Sequence, residues 1–408
     1  MSRLLTYEEA KHAIDANLKP ASLGYEEAVL LEAYNRVLAA DVVSPLDIPG
    51  VNSARVAGYA VRSVDTAGAG EDNPVCFKVA GTIAVGEVLG HQLGVGESFE
   101  VTSGAMLPEG ADAVIALEDI VREDDTLQVY SPASEGENVC LRGSDVKLGT
   151  VVFERNQVLG ATEIGVLAGL GLKQVPVLKL PMVAVLTVSN EVSELSKPLE
   201  RGRWFDVNGY SLSTAIMECG AKPVYFGVVP EDRAEISRMV SAAVADSDMV
   251  IVCSDNPLVT EVIGSLPNSA IIVNGVAIRP GKSTAAATVE GKPVFVFPSN
   301  PTAVLIMYQL FARGQVQRLA GRPVAGLRAL SAVAGSKLFS AKGSRTFMPV
   351  KLSFDEQCRL IVDSSEVQGA VSGLADVDGF VEIPENEQFL EVDQAVVVWL
   401  LRGIATKA

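Results

Sequence analysis

The chain has 408 residues, of which 48% are hydrophobic and 20% charged, which allows several hydrophobic cores and exceeds one ordinary domain. The 50 acidic against 33 basic residues give a net charge of -17, which disfavours binding to nucleic acid or to an acidic membrane surface. The acidic N-terminus lacks a signal-peptide core, and no apolar run reaches the roughly 18 residues of a membrane span. We therefore expect a cytoplasmic protein without membrane insertion.

Cysteine and histidine usage bears on redox and metal chemistry. The five cysteines are odd in number and widely spaced, and most lie in apolar runs: Cys76, Cys140, Cys219, Cys253 and Cys358. This pattern predicts reduced thiols in the core. The two histidines and the lack of a paired-cysteine motif argue against a structural zinc site.

The first part of the chain mixes helical and strand patterns. Thr6 and Glu9 form a capping-box pattern, and the apolar spacing that follows predicts a helix over 6–18. We predict a second helix from about Tyr25. After residue 50, short segments broken by glycines indicate an antiparallel β domain, and helical spacing returns in "GATEIGVLAGLGL".

From Pro181 onward, apolar strand segments alternate with amphipathic helical segments, the last of which covers 301–319. This alternation predicts a doubly wound, parallel α/β domain with right-handed connections. The β pattern returns after residue 325 and indicates a small C-terminal barrel. The predicted domains are 1–48 with 143–180 (a discontinuous N-terminal domain), 49–142 (a β domain), 181–325 (the α/β domain) and 326–408 (the barrel).

Ligands of open parallel sheets bind beyond the carboxyl ends of the strands. Four polar loops fit that position: 188–191, 254–256, 278–283 and 297–303. Arg279 and Lys282 flank a Pro-Gly turn and would grip an oxyanion such as phosphate, unless they form an ordinary solvated turn. Taken alone, Asn300 fits a simple helix N-cap better than a ligand site, and an isolated glutamate after a strand, such as Glu191, is more often a cap than a ligand or base.

Several segments, in this order, resemble the MoeA family of molybdopterin molybdenumtransferases, which includes the E domain of gephyrin. They are "NRVLAADVVSPLDIPG" (35–50), "GYAVRS" (58–63), "TSGAMLPEGADAVIALED" (102–119), "GENVCLRGSDVKLGTVVF" (136–153), "IRPGKS" and "FPSNPTA". The resemblance implies an elongated homodimer of four-domain subunits, with a molybdopterin-binding-like α/β domain, a β domain and a C-terminal β-barrel. It also implies magnesium-dependent cleavage of adenylylated molybdopterin and insertion of molybdate.

The resemblance also implies site residues. Asp145 and Glu191 match the catalytic carboxylates, and Glu191 also matches a metal ligand. The positions that match cofactor-binding residues are Ser103, Arg142, Asp206, Asn208, Arg279, Lys282, Ser299 and Asn300. Cationic side chains and backbone N–H groups can bind the oxygens of molybdate and pyrophosphate, and carboxylates can bind Mg²⁺.

Other positions depart from the family pattern. Ala57 and Asn190 stand where the family has aspartates, and Ala303 stands where it has a serine. Asp255 and Asn256 replace two loop glycines, which adds Cβ atoms and a negative charge where an anion would lie. Because the effects of several lost site groups on the rate multiply, these departures predict that catalytic activity has been reduced or lost.

Two functional hypotheses follow. The first is a non-catalytic homodimeric scaffold that needs no cofactor and binds a peptide of a cytoskeletal, tubulin-like cell-division protein or of a membrane protein, by analogy with gephyrin. Its candidate anchors are Phe339, Phe347 and Phe380, each of which also fits core packing. The alternative is an active molybdopterin molybdenumtransferase of molybdenum cofactor biosynthesis, which needs molybdopterin, molybdate and Mg²⁺.

Overall fold

The structure is a computed structural model that describes residues 3–19, 23–88, 90–365 and 371–401. The chain divides into two compact units. The larger unit comprises Met1–Ala28, Asn35–Ala39 and Pro176–Ala408, and the smaller unit comprises Val29–Tyr34 and Ala40–Val175. Among the helices of these described ranges, none combines the length and apolar character that a membrane crossing requires.

The helices of the described residues are α1 (Tyr7–Asn17), α2 (Ala161–Gly169), α3 (Asn208–Glu218), α4 (Arg233–Asp246), α5 (Pro257–Ser265), α6 (Pro301–Met307), α7 (Arg313–Leu319) and α8 (Val371–Asp376). Helix α1 confirms the predicted capping box, since the Thr6 side chain accepts from Glu9 N and the Glu9 side chain accepts from Thr6 N. A π-helical segment, Tyr308–Ala312, joins α6 to α7. The helix predicted over 301–319 is therefore continuous, with one wider turn.

The first strands are β1 (Tyr25–Val29), β2 (Val42–Val43), β3 (Ser53–Ala54), β4 (Gly58–Val61), β5 (Val75–Ile83), β6 (Glu97–Val101), β7 (Ala113–Ala116), β8 (Ile120–Glu123), β9 (Thr126–Val129), β10 (Val139–Cys140), β11 (Val151–Phe153) and β12 (Gln174–Leu178). The next are β13 (Met182–Val188), β14 (Val192–Ser193), β15 (Trp204–Phe205), β16 (Lys222–Val229), β17 (Met249–Cys253), β18 (Ser269–Asn274), β19 (Ile278–Arg279), β20 (Ala285–Val289) and β21 (Lys292–Phe297). The last are β22 (Ala329–Ala334), β23 (Leu338–Phe339), β24 (Arg345–Phe354), β25 (Leu360–Ser364), β26 (Gly379–Ile383), β27 (Phe389–Leu390) and β28 (Ala395–Leu400).

The smaller unit is built on a six-stranded sheet in the order β7-β4-β6-β5-β9-β8, in which every pairing is antiparallel except β5 with β6. Two short ribbons, β2 with β11 and β3 with β10, join the same unit. Its buried side chains form two core clusters, one around Phe77 and Leu127 and the other around Phe99. The predicted β-rich character of this region is confirmed.

The α/β domain of the larger unit has a six-stranded sheet in the order β16-β13-β17-β21-β20-β18. The four strands β16, β13, β17 and β21 are parallel, whereas β20 runs in the opposite direction and pairs antiparallel with both β21 and the edge strand β18. Glu290 and Gly291 link β20 to β21 with φ of 51° and 78°. Positive φ at both residues of a two-residue turn produces a hairpin, which explains the reversal of direction.

Both faces of this sheet are buried. Helices α1, α3 and α6 cover one face around Ile216, Phe295 and Met307, and helices α4 and α5 cover the other. Burial on both sides explains why β17 reads as a continuous apolar run, all five of whose residues are buried. The sheet thus presents only its strand ends to ligands.

The C-terminal part of the larger unit is a closed barrel. Strands β24, β25, β22, β28 and β26 follow one another around it, and a direct pairing of β26 with β24 closes the ring. This closure confirms the predicted barrel and leaves none of the five strands as an unpaired edge. The chain thus has the predicted multidomain MoeA-like combination of an α/β domain, a β domain and a C-terminal β-barrel.

Two local predictions were wrong. The segment from Tyr25 forms strand β1 and then turns, because its backbone pairs with β12 and this pairing overrides the helical propensity of its alanines and leucines. Of the cysteines, only Cys219 and Cys253 are buried, although all five are free thiols. The predicted domain boundaries stay predictions.

Candidate functional site

The candidate site lies at the carboxyl edge of the α/β sheet. Strands β13, β17 and β21 are adjacent and parallel, so the loops that follow them, 189–191, 254–256 and 298–300, emerge at the same edge. A fourth loop, 279–283, reaches the same place, because Ser283 is hydrogen-bonded to Asp255. The loops predicted to line a ligand site are therefore close to one another.

Asp206 is buried beneath this edge, with 4% of its surface exposed. Thr187 Oγ1 donates to its carboxylate at 3.2 Å, the Gly209 backbone N–H donates at 3.1 Å, and Tyr225 Oη donates at 2.8 Å. Three donors from three different elements make this buried carboxylate a well-satisfied acceptor. Sequence reasoning missed Thr187 and Tyr225, because only the strand register brings them to Asp206.

The Asp206 carboxylate alters its titratable neighbours. Burial, together with the charge of Asp206, raises the pKa of the Tyr225 hydroxyl. Burial and the carboxylates of Asp206 and Asp255 raise the pKa of the Cys253 thiol well above its ordinary value. Cys253 thus stays protonated at neutral pH, which argues against a nucleophilic role for it.

Asn208 and Asn300 order the start of two helices at the edge. Asn208 begins α3, and its Nδ2 donates to the Ser299 carbonyl at 2.7 Å, while its buried Oδ1 has no partner among the described residues. Asn300 caps α6 by accepting from Ala303 N at 3.0 Å. The cap interpretation of Asn300 is thus confirmed, and its predicted ligand contact stays a prediction. Ala303 is itself buried.

Asp255 does not simply point into solvent. Ser283 Oγ donates to its Oδ1 at 3.0 Å, and the Ser299 backbone N–H donates to its Oδ2 at 2.9 Å. The next residue, Asn256, is the N-cap of α5 and accepts from Leu258 N at 3.0 Å. Asp255 and Asn256 therefore have distinct local roles, one between loops and one at a helix start.

Arg279 and Lys282 are exposed on either side of the turn at Pro280 and Gly281. Within the described ranges, neither side chain has a hydrogen bond or an ion pair. Gly281 has a φ of 109°, and a Cβ there would collide with Met307, so the turn requires glycine. Arg279 lines a cavity of about 340 Å³ with Asn300 and residues of the barrel, and Lys282 lines another of about 890 Å³ with Asp255.

Glu191 is exposed in the loop after β13, where its backbone N–H donates to Ser189 Oγ at 3.1 Å. The neighbouring Asn190 accepts from Glu231 N at 3.1 Å, so this amide fixes the loop to its surroundings. The described residues contain no group of three or more His, Cys, Asp or Glu side chains that could hold a metal ion. Because Mg²⁺ is often held by one or two carboxylates together with substrate phosphates, the predicted role of Glu191 as a metal ligand stays a prediction.

The remaining predicted residues lie in the smaller unit. Ser103 Oγ donates to the Arg55 carbonyl at 3.0 Å, and Arg142 Nε donates to Asp47 Oδ2 at 2.7 Å. The Leu148 backbone N–H and the Arg142 guanidinium lower the pKa of the Asp47 carboxyl. Asp145 and Ala57 are exposed on loops of this unit. Their predicted roles stay predictions.

Two of the three candidate peptide anchors are core residues. Phe347 and Phe380 are 1% and 0% exposed, and their rings lie 5.9 Å apart in an edge-to-face contact. The prediction that they anchor a peptide is therefore wrong, because strands β24 and β26 turn these side chains inward to pack beside Tyr7 and Phe311. Phe339 is 66% exposed beside Phe389, and its role stays a prediction.

Comparison with known families covers nearly the whole chain. Residues 5–171 match the MoeA N-terminal region (domain I and II), and residues 331–401 match the MoeA C-terminal region (domain IV). Residues 184–318 match a probable molybdopterin binding domain.

Similar proteins of known structure or name agree with this assignment. The crystal structure of a molybdopterin biosynthesis MoeA protein from Pyrococcus horikoshii is 34% identical, with a TM-score of 0.88, and the match covers 98% of this chain and 100% of that one. A second such structure from the same organism is 27% identical, with a TM-score of 0.77 and the same coverage. A protein of Staphylococcus aureus (strain COL) named molybdopterin molybdenumtransferase is 29% identical over 93% of this chain and 91% of its own length.

Proposed function

Because the chain belongs to the MoeA family, we propose that it is a molybdopterin molybdenumtransferase, the alternative of the two functional hypotheses. Relatives that carry this name match the chain over nearly its full length. The ligand would be an adenylylated molybdopterin with molybdate as second substrate, as the resemblance to the family implies. No comparison supports the scaffold hypothesis, and two of its three aromatic anchors are buried.

The observation that carries the proposal is the pair of cations at the carboxyl edge. The chain has 17 more acidic than basic residues, so an unpaired cation has many available partners. Nevertheless, the guanidinium of Arg279 and the ammonium of Lys282 pair with no group that the structure describes. Two exposed cations that line cavities at the edge of a parallel sheet favour an anionic ligand such as a phosphorylated pterin.

Under this proposal, each side chain at the edge has its own task. Arg279 can hold two ligand oxygens at once through its planar fork, and Lys282 contributes a compact positive charge. Asn208 fixes the Ser299 carbonyl and therefore the loop that precedes α6. The hydrogen bonds to the buried Asp206 link β13, α3 and β16 beneath this edge. Binding and orientation of the substrate thus depend on this chain's own residues.

The departures from the family pattern bear on the rate. Relative to the family pattern, Ala57 and Asn190 lack two carboxylates, and Asp255 adds a negative charge to the cavity that Lys282 lines. One preorganised site donor typically contributes about 100-fold or more to a rate. We therefore expect transfer that is slower than that of a relative with the family residues.

The test is release of AMP from adenylylated molybdopterin with Mg²⁺ and molybdate present. We expect release with the wild-type chain and a loss of about 100-fold in each of Arg279→Ala and Lys282→Ala, because each removes a ligand-holding cation. Lys222→Ala is the matched control, since Lys222 is exposed at the opposite end of the sheet, at the start of β16. Wild-type release no faster than that without protein would contradict the proposal.

The homodimer that the resemblance implies stays a prediction. Light scattering coupled to size-exclusion chromatography measures the mass in solution, and a dimer doubles the 42.9 kDa of the chain. A monomeric mass at micromolar concentration would contradict the dimer without bearing on the transferase assay.

A further inference from the structure

We propose that Asp255 is an internal substitute for a ligand oxyanion and that it determines whether a free oxyanion can bind at this edge. Its two carboxylate oxygens already take one donor from each of two neighbouring loops, Ser283 Oγ at 3.0 Å and the Ser299 N–H at 2.9 Å. Oxyanions bind through such O–H and N–H donors. A free oxyanion therefore gains these two donors only by displacing the carboxylate.

The charges of the surrounding cavity favour this interpretation. Asp255, Lys282 and Ser283 line the same cavity of about 890 Å³. Lys282 forms no ion pair with Asp255, and the part of the chain that the structure describes offers it no other partner. The cavity thus has a cation ready for a ligand, while the two donors beside it are held by the protein's own anion.

The position of Asp255 separates this role from helix capping. The start of α5 is held by the Asn256 side chain, with Pro257 at the first helical position. Asp255 is exposed, so burial does not force its carboxylate to keep these bonds. Removing the carboxylate should therefore leave α5 intact and release Ser283 and Ser299 N–H to a ligand.

Two variants distinguish occupancy of the donors from simple charge repulsion. In Asp255→Asn the amide oxygen still accepts from Ser299 N–H and the amide nitrogen can donate to Ser283, so the donors stay occupied without the charge. In Asp255→Gly both the charge and the occupancy are lost. Glu261→Gln is the matched control, because Glu261 lines the same cavity but pairs with Arg233 at 2.9 Å and holds neither donor.

The experiment is isothermal titration calorimetry of the full chain with sodium molybdate and, separately, with inorganic phosphate. We expect Asp255→Gly to bind at least one of the two ions about tenfold or more tightly than wild type, since hydrogen bonds to charged groups have energies of this size. The affinity of Asp255→Asn should rise clearly less than that of Asp255→Gly. The affinity of Glu261→Gln should change less than about twofold, as is usual for exposed charges. Adding Lys282→Gln to Asp255→Gly should remove the gain.

Three results would overturn the proposal. They are an unchanged oxyanion affinity in Asp255→Gly, an equal rise in affinity in Asp255→Asn and Asp255→Gly, and a rise in affinity that is still present when Lys282→Gln is added. Melting curves verify that each variant is folded, and Asp255→Ser replaces the glycine variant if that one is unfolded. The inference rests on the proposed function only in taking an oxyanion as the ligand. Because the titration contains no pterin and needs no turnover, it gives a result even for a chain without transferase activity.

Discussion

Asp206 and Asp255 lie at the same edge of the same sheet and have opposite surroundings. Asp206 is 4% exposed and accepts hydrogen bonds from three elements of the domain. Asp255 is exposed and accepts one bond from each of two loops. An acidic residue at the ligand-binding edge of a sheet is therefore not by itself a ligand-binding group, because its burial and its hydrogen-bond donors decide its role.

The two positions also differ in what their removal leaves behind. Without the Asp206 carboxylate, the hydroxyls of Thr187 and Tyr225 and the Gly209 N–H would be left without an acceptor in a buried place. Without the Asp255 carboxylate, the Ser283 hydroxyl and the Ser299 N–H would donate hydrogen bonds to water instead, without the free-energy cost of a buried unsatisfied donor. We therefore expect Asp206 to govern stability and Asp255 to govern binding.

The largest effect is expected for Asp206→Ala. Buried donors that lose their acceptor cost about 1–3 kcal/mol each, so we expect the α/β domain to lose about 3 kcal/mol of unfolding free energy or more. Scanning calorimetry, which can resolve the transition of one domain in a multidomain chain, measures the change. Asp255→Ala is the control, and an equal loss in both variants would contradict the distinction between the two aspartates.

A smaller effect is expected for Tyr225→Phe. This change removes the 2.8 Å hydrogen bond from Tyr225 Oη to Asp206 and keeps the ring, so we expect a loss of about 1 kcal/mol. The matched control is Tyr210→Phe, because the Tyr210 ring contacts Tyr225 but is 45% exposed. A loss in the control as large as that in Tyr225→Phe would show that the ring contact, and not the hydrogen bond, matters.

The same hydroxyl makes stability depend on alkaline pH. Burial and the Asp206 charge raise the pKa of Tyr225 in the folded state above its ordinary value of 10.0. A raised folded-state pKa contributes stability that is fully present below pH 10.0 and is lost as the pH rises further. Urea unfolding of wild type between about pH 9 and 11 should therefore show a steeper loss than Tyr225→Phe. Parallel curves for the two proteins would contradict this assignment.

The smallest effect on stability is expected for Asp255→Asn. The amide keeps both bridging bonds of an exposed side chain, so we expect the unfolding free energy to change by no more than about 0.5 kcal/mol. Calorimetry under the conditions used for Asp206→Ala measures it. A loss above about 2 kcal/mol would place Asp255 in the same structural class as Asp206, since changes of this size come from named buried features.

Much of the fold follows from local sequence patterns. The capping box at Thr6 and Glu9 and the apolar runs of the α/β domain predicted helix α1 and the parallel strands β13, β17 and β21. Capping and periodicity involve residues a few positions apart, so the sequence displays them directly. The segment from Tyr25 shows the limit, because its pairing with β12 involves residues far along the chain.

The candidate site likewise has features that the sequence predicted and features that it did not. The positions of the strand ends in a parallel sheet predicted which loops would lie together, and the family resemblance predicted which residues would belong to the site. The contacts themselves were not predictable: Asp255 lies 28 residues from Ser283 and 44 residues from Ser299 along the chain. The same holds for Asp206 and its partners Thr187 and Tyr225.

The sequence alone therefore determined the order of elements, the excess of negative charge and the residues available at the edge. The fold determines that Asp206 is enclosed by donors, that Asp255 links two loops and that Arg279 and Lys282 form no ion pair with any residue that the structure describes. The physical reason is that hydrogen bonds and burial depend on strand register and on the packing of helices, which are set by many distant residues together.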